Sequence, residues 1–126
     1  MSKILVIDDD AQVRTLLRRA LESAGFEVFE AEDGGQGVRA FTSLHPDLVI
    51  TDIWMPNKEG LECIQELRRL DPAVRIFAIS GGTPHNPLDV LEMARRFGAR
   101  RTFWKPFDVE KVVTAVREEL GLPPTA

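Results

Sequence analysis

Short apolar runs alternate with amphipathic stretches along the whole chain. The runs fall at 4–7, 26–30, 48–51, 74–79 and 102–104. They are too short for helices, carry β-branched and aromatic residues, and are bounded by turn formers, so they predict strands. Between them apolar residues recur at helical spacing. Val13, Leu16, Leu17, Ala20, Leu21 and Ala24 make the first stripe, and Val38, Ala40, Phe41 and Leu44 a second. Leu61, Ile64 and Leu67, with Cys63 beside them, make the third, and Val90, Leu91, Ala94 and Phe97 the fourth. Val109, Val112, Val113, Val116 and Leu120 make the last. Asp10, Asp33 and Asp108 stand where helix N-caps are needed, and Gly25, Gly98 and Gly121 where helices stop. Gly34, Gly35 and Gly37 weaken the second helix, since a glycine costs about 1 kcal/mol in a helix interior.

Strand and helix alternating in this way predict an α/β fold. Near-continuous apolar strands predict a parallel central sheet covered by helices on both faces, a three-layer doubly wound arrangement. A chain of 126 residues has room for one core, so residues 1–126 are expected to form one domain, with its core over about 2–121 and a short tail at 122–126.

Composition narrows the classes. Hydrophobic residues make up 44% and charged residues 29%, ordinary for a water-exposed globule. No apolar run approaches the roughly 20 residues of a membrane span, and the first residues lack a secretory signal, so a cytoplasmic protein without membrane insertion is expected. Cys63 is the sole cysteine, which excludes an intrachain disulfide. With only His45 and His85 beside it, a zinc site of the usual kind is excluded as well. A net charge of −4 argues against direct nucleic-acid binding.

The chemistry gathers at the strand ends. Asp8 and Asp9 follow the first run, Asp52 the third, Ser80 the fourth and Lys105 the fifth. In a parallel sheet the carboxyl ends of the strands share one edge, where ligands bind. Each carboxylate pair about 4 Å apart would repel by roughly 4 kcal/mol at an effective dielectric of about 20. Such a cluster calls for a cation, and oxygen donors without nitrogen or sulfur favour Mg²⁺, with Mn²⁺ as a substitute. Asp9 or Asp10 could instead serve as a helix cap, but capping does not account for Asp52. Lys105 beside these acids calls for an anion, and the Ser80 hydroxyl, backed by Gly81 and Gly82, can donate to a phosphoryl oxygen. Pro106 raises the chance of a cis peptide after Lys105, which would aim the amine inward.

The segments Ile4-Leu5-Val6-Ile7-Asp8-Asp9-Asp10, Asp52-Ile53-Trp54-Met55-Pro56, Ile79-Ser80-Gly81-Gly82 and Lys105-Pro106-Phe107 together resemble the receiver domain of two-component response regulators. The resemblance runs over about 2–121. It implies a flavodoxin-like sheet of order 2-1-3-4-5. It also implies that Asp52 is the phosphoacceptor and that Asp9, Asp52 and the Trp54 main-chain carbonyl bind Mg²⁺, with Asp8 acting through water. Ser80 and Lys105 would hold the phosphoryl oxygens. The implied donor is a sensor histidine kinase or histidine phosphotransfer protein. A chain of this extent is expected to act as a stand-alone receiver, signalling through a downstream protein or passing the phosphoryl group on.

The resemblance departs at Thr102, where many members carry an aromatic switch residue, and at Arg100-Arg101, where members that dimerise through this region often carry acids. Two other readings compete. Asp8-x-Asp10 after a strand also resembles the haloacid-dehalogenase phosphatases, with Asp8 as nucleophile, although Asp52 then has no role. The same fold could also serve as a phosphorylation-independent interaction module.

Overall fold

The computed structural model describes residues 1–53, 60–81 and 87–124, and only the main chain of 87–91. Strands and helices alternate along it. They are β1 (Lys3–Ile7), α1 (Ala11–Ser23), β2 (Glu27–Ala31), α2 (Gly34–Leu44), β3 (Leu48–Asp52), α3 (Gly60–Leu70), β4 (Ile76–Ser80), α4 (Pro87–Arg96), β5 (Arg101–Trp104) and α5 (Val109–Glu119). The strands form one parallel sheet of order β2-β1-β3-β4-β5, as the resemblance implies. Among the described residues no helix is long and apolar enough to cross a membrane.

The continuous apolar runs arise because the inner strands are covered twice. Leu5, Ile7, Val49, Ile76 and Ala78 face a core shared with Phe41 of α2, Cys63, Ile64 and Leu67 of α3, and Ala94 of α4. Ile4, Val6, Leu48, Ile50, Phe77 and Ile79 face the other core, with Leu17 and Leu21 of α1 and Val112, Val113 and Val116 of α5. Period-two alternation thus divides one strand between two cores.

The expected caps form. Asp10 accepts from the Gln12 N–H at 2.9 Å, Asp33 from Gln36 at 2.8 Å and Asp108 from Glu110 at 3.0 Å. The glycines of α2 have a packing reason. A Cβ on Gly37 would lie 2.3 Å from the Ile7 Cδ1 atom, so the missing side chain lets α2 settle onto β1.

Two apolar residues depart from the expected packing. Leu16 is 48% exposed: it lies beside Leu17 on α1, turned off the sheet-facing line of Leu17 and Leu21, over a groove with Arg19, Ala20 and Glu110. Trp104, read from the sequence as packing, is 36% exposed at the end of edge strand β5. Arg100 and Arg101 are held within the chain. Arg100 lies 3.8 Å from Glu119 and Arg101 3.2 Å from Glu118, both acids at the end of α5, and Arg75 reaches the same Glu119 at 3.7 Å.

Candidate functional site

The register of the sheet decides which side chains can meet. Ile7 pairs with Thr51, Asp52 with Ile79 and Ser80 with Trp104, so Asp8, Asp52, Ser80 and Lys105 emerge along one edge of four adjacent strands. Main-chain bonds continue the sheet past the strand ends. Asp8 donates its N–H to Ala31 O at 3.1 Å, Ile53 to Ile79 O at 2.9 Å and Lys105 to Ser80 O at 2.8 Å. Asp8, Asp52 and Ser80 are buried and Asp9 is exposed. The Lys105–Pro106 peptide is cis, the isomer the sequence pointed to.

Lys105 Nζ lies 3.0 Å from Asp8 Oδ2 and 3.1 Å from Asp52 Oδ2. One ammonium therefore bridges two carboxylates from different strands. Ligand oxygens of Asp8, Asp9 and Asp52 all lie within 4.8 Å of one another. Three carboxyl groups thus share one ammonium, so the pocket holds more acidic than basic groups. Burial raises the Asp8 carboxyl above its ordinary value, opposed by the Asp10 N–H bonded to Oδ1 at 2.9 Å and by Lys105. Burial also pulls Lys105 down, but its contact with Asp8 and the charge of Asp52 outweigh this and hold the ammonium above its usual range.

A divalent cation fits this arrangement. Asp8 Oδ2 is buried without a hydrogen-bond partner, its close contact being the ion pair to Lys105. A buried carboxylate oxygen in that state is costly unless a cation or water completes its surroundings. Oxygen donors alone, one of them exposed and open to solvent, suit Mg²⁺, which keeps several of its waters. Trp54, whose carbonyl the resemblance implies as a further ligand, lies outside the described residues, as does Gly82.

Two supporting features escaped the sequence reading. Gly60 opens α3 directly against the end of β3: its N–H donates to Ile53 O at 2.9 Å, and a Cβ there would lie 2.2 Å from Asp52 O. Its signal was a glycine at the start of an apolar helical stripe. Arg14, one turn into α1, donates to the Asp8 carbonyl at 2.7 Å. Its signal was a cation near a helix N-terminus, where the helix dipole favours acids.

Comparison with known proteins identifies the pattern. A family model described as the response regulator receiver domain matches residues 4–117. The chain is 32% identical over 120 residues to sporulation initiation phosphotransferase F of Bacillus subtilis, covering 95% of this chain and 94% of that protein. It is 34% identical over 121 residues to the chemotaxis protein CheY of the same organism, covering 94% and 98%. Among solved structures, a receiver domain protein from Clostridium thermocellum superposes with a TM-score of 0.88 at 30% identity, covering 96% and 95%. Response regulator TrrA of Thermotoga maritima, solved with Mg²⁺ and BeF, gives 0.80 at 32% identity, covering 94% and 98%.

Proposed function

The chain belongs to the response regulator receiver family, whose members are phosphorelay signalling modules rather than conventional enzymes, and we propose that Asp52 is the residue that accepts the phosphoryl group. The observation that carries this is the Lys105 ammonium set between Asp52 and Asp8, with the three carboxylates around it. The donor is a phosphohistidine on a sensor kinase or phosphotransfer protein. An Asp52 carboxylate oxygen attacks phosphorus, the P–O bond forms, and the P–N bond to the donor imidazole breaks in line. The leaving nitrogen takes its proton from solvent.

Lys105 meets the charge on the phosphoryl oxygens, and the Ser80 hydroxyl donates to one of them. Asp9 and Asp52 would hold Mg²⁺, or Mn²⁺ in its place, with Asp8 acting through water and Trp54 offering its main-chain carbonyl. The bound metal supplies positive charge for the transferring oxygens. Most of the acceleration comes from positioning and electrostatics, since phosphoryl transfer asks little covalent work of the protein. The charged residue then signals by contact with a downstream protein or by onward transfer to another histidine, in the cytoplasm. The family match does not favour a phosphatase built on Asp8.

The test is incubation with Mg²⁺ and acetyl phosphate, followed by mass mapping of the base-labile acyl phosphate. Label on Asp52 alone, lost in Asp52→Asn, is the expected result. Label persisting on Asp8 in that variant would point to the phosphatase chemistry. A wild type that neither labels nor binds beryllofluoride would leave the interaction-module reading.

A further inference from the structure

The Asp8 carbonyl belongs to the peptide unit joining Asp8 to Asp9, the two consecutive carboxylates of the pocket. That peptide is planar, so fixing its oxygen fixes the direction in which Asp9 leaves the strand. The structure fixes it with one side chain. Arg14 Nη1 donates to Asp8 O at 2.7 Å. The same guanidinium donates through Nε to Glu30 Oε1 at 3.0 Å, and its Nη2 lies 4.0 Å from Glu32. Glu30 is held in turn, for its other oxygen accepts from Arg18 Nη1 at 2.6 Å. The Arg14 side chain is only 12% exposed, whereas that of Arg18 is 43% exposed.

We propose that Arg14, oriented by Glu30, is a positioning residue for the metal site: it locks the Asp8–Asp9 peptide and so sets where the Asp9 carboxylate stands. The inference rests on the Mg²⁺ reading given above. Asp8 has other ties to the fold, through its N–H to Ala31 and through its Oδ1 to the Asp10 N–H. Asp9 is exposed, and the peptide plane ahead of it is what aims it. A guanidinium suits the task because its fixed fork spans a carbonyl on one side and a carboxylate on the other, which a lysine ammonium does without directional control. Partners standing behind metal ligands commonly change affinity by about 10-fold to 100-fold when removed.

Charge alone predicts the opposite sign. Deleting a cation next to a cation site should tighten Mg²⁺ binding, whereas losing the lock should weaken it. Calorimetric titration with Mg²⁺ of the wild type, Arg14→Met and Arg14→Lys separates the two, with metal-free melting temperature recorded for each. The expected result is binding weakened about 10-fold in Arg14→Met and by a smaller factor in Arg14→Lys. Unchanged or tighter binding in a folded Arg14→Met overturns the inference. Should that variant fail to fold, Arg14→Lys, which keeps the charge, decides: wild-type affinity overturns the inference and weakened affinity supports it. A wild type that takes up no Mg²⁺ overturns the metal reading itself, and the inference with it. A wild type that binds while both variants match it overturns the inference alone.

Discussion

Lys105 Nζ meets Asp52 Oδ2 at 3.1 Å although β4 lies between their strands. Adjacent strands are about 4.8 Å apart, so the contact needs a side chain long enough to cross a whole strand. Gly81 lies beside that path: a Cβ there would stand 3.7 Å from Lys105 Cδ, an ordinary packing contact. Lys105→Met keeps most of the length and removes the charge. It should slow acetyl phosphate labelling about 100-fold, the usual scale for losing one charge-stabilising group. It should also tighten Mg²⁺ binding, since a competing cation leaves the carboxylates. Rapid-mix labelling and calorimetry check the two effects, and unchanged labelling would show that the ammonium serves only the resting fold.

Asp8 makes the metal-free protein sensitive to pH. Its folded carboxyl binds a proton more tightly than the unfolded one, whose value lies near 3.8, because burial disfavours the anion. The stabilisation from protonated Asp8 is therefore complete below that unfolded value and lost as pH rises through the higher folded value. In chelator, wild type should lose stability relative to Asp8→Asn across that window and stay behind it at neutral pH. Millimolar Mg²⁺ should narrow the gap, since a ligand that binds only the assembled site stabilises the fold. Melting curves of both proteins over pH test this; a difference that stays constant with pH would refute it.

Gly60 is expected to tolerate no side chain. The obstacles to a Cβ are the backbone atoms Asp52 O at 2.2 Å and Ile53 Cα at 2.5 Å, which cannot rotate away. Gly60→Ala should cost about 2 kcal/mol, in the range of overpacked interiors, and displace the Asp52 carboxylate as well. Chemical denaturation gives the first effect. Labelling measured where the variant is still folded gives the second, and wild-type labelling there would confine Gly60 to a packing role.

Sequence pattern revealed the strands because their burial on both faces leaves unbroken apolar runs, and it revealed the helix starts because Asp10, Asp33 and Asp108 bond the first free N–H groups. The fourth run was read from Val74, yet β4 begins at Ile76; Val74 closes a turn onto Asp71 O. The acids, Ser80 and Lys105 were legible because each lies at the carboxyl end of an apolar run, Asp52 and Ser80 as the last residues of β3 and β4 and Asp8, Asp9 and Lys105 just past β1 and β5. The Arg14–Glu30 pair was not. Its residues lie 16 positions apart on different elements, and no local spacing announces that α1 will lay one beside the other. The exposure of Leu16 and Trp104 was missed for a related reason. Periodicity shows which face is apolar, not how far the neighbouring helix or strand extends over it.

The intrachain ion pairs at the end of α5 have a bearing on assembly. Glu119 serves both Arg75 and Arg100, and Glu118 serves Arg101. A second copy or another protein offering carboxylates to this side of β5 would meet three guanidiniums already sharing two carboxylates, so most of its gain would come from exchanging one anion for another and only one arginine charge is left to meet. Exposed pairs of this kind contribute about 0–1 kcal/mol each, so the exchange is nearly neutral in free energy. Selectivity among neighbours at this edge then falls to shape and to the exposed face of Trp104, whose ring offers contact area that does not depend on charge.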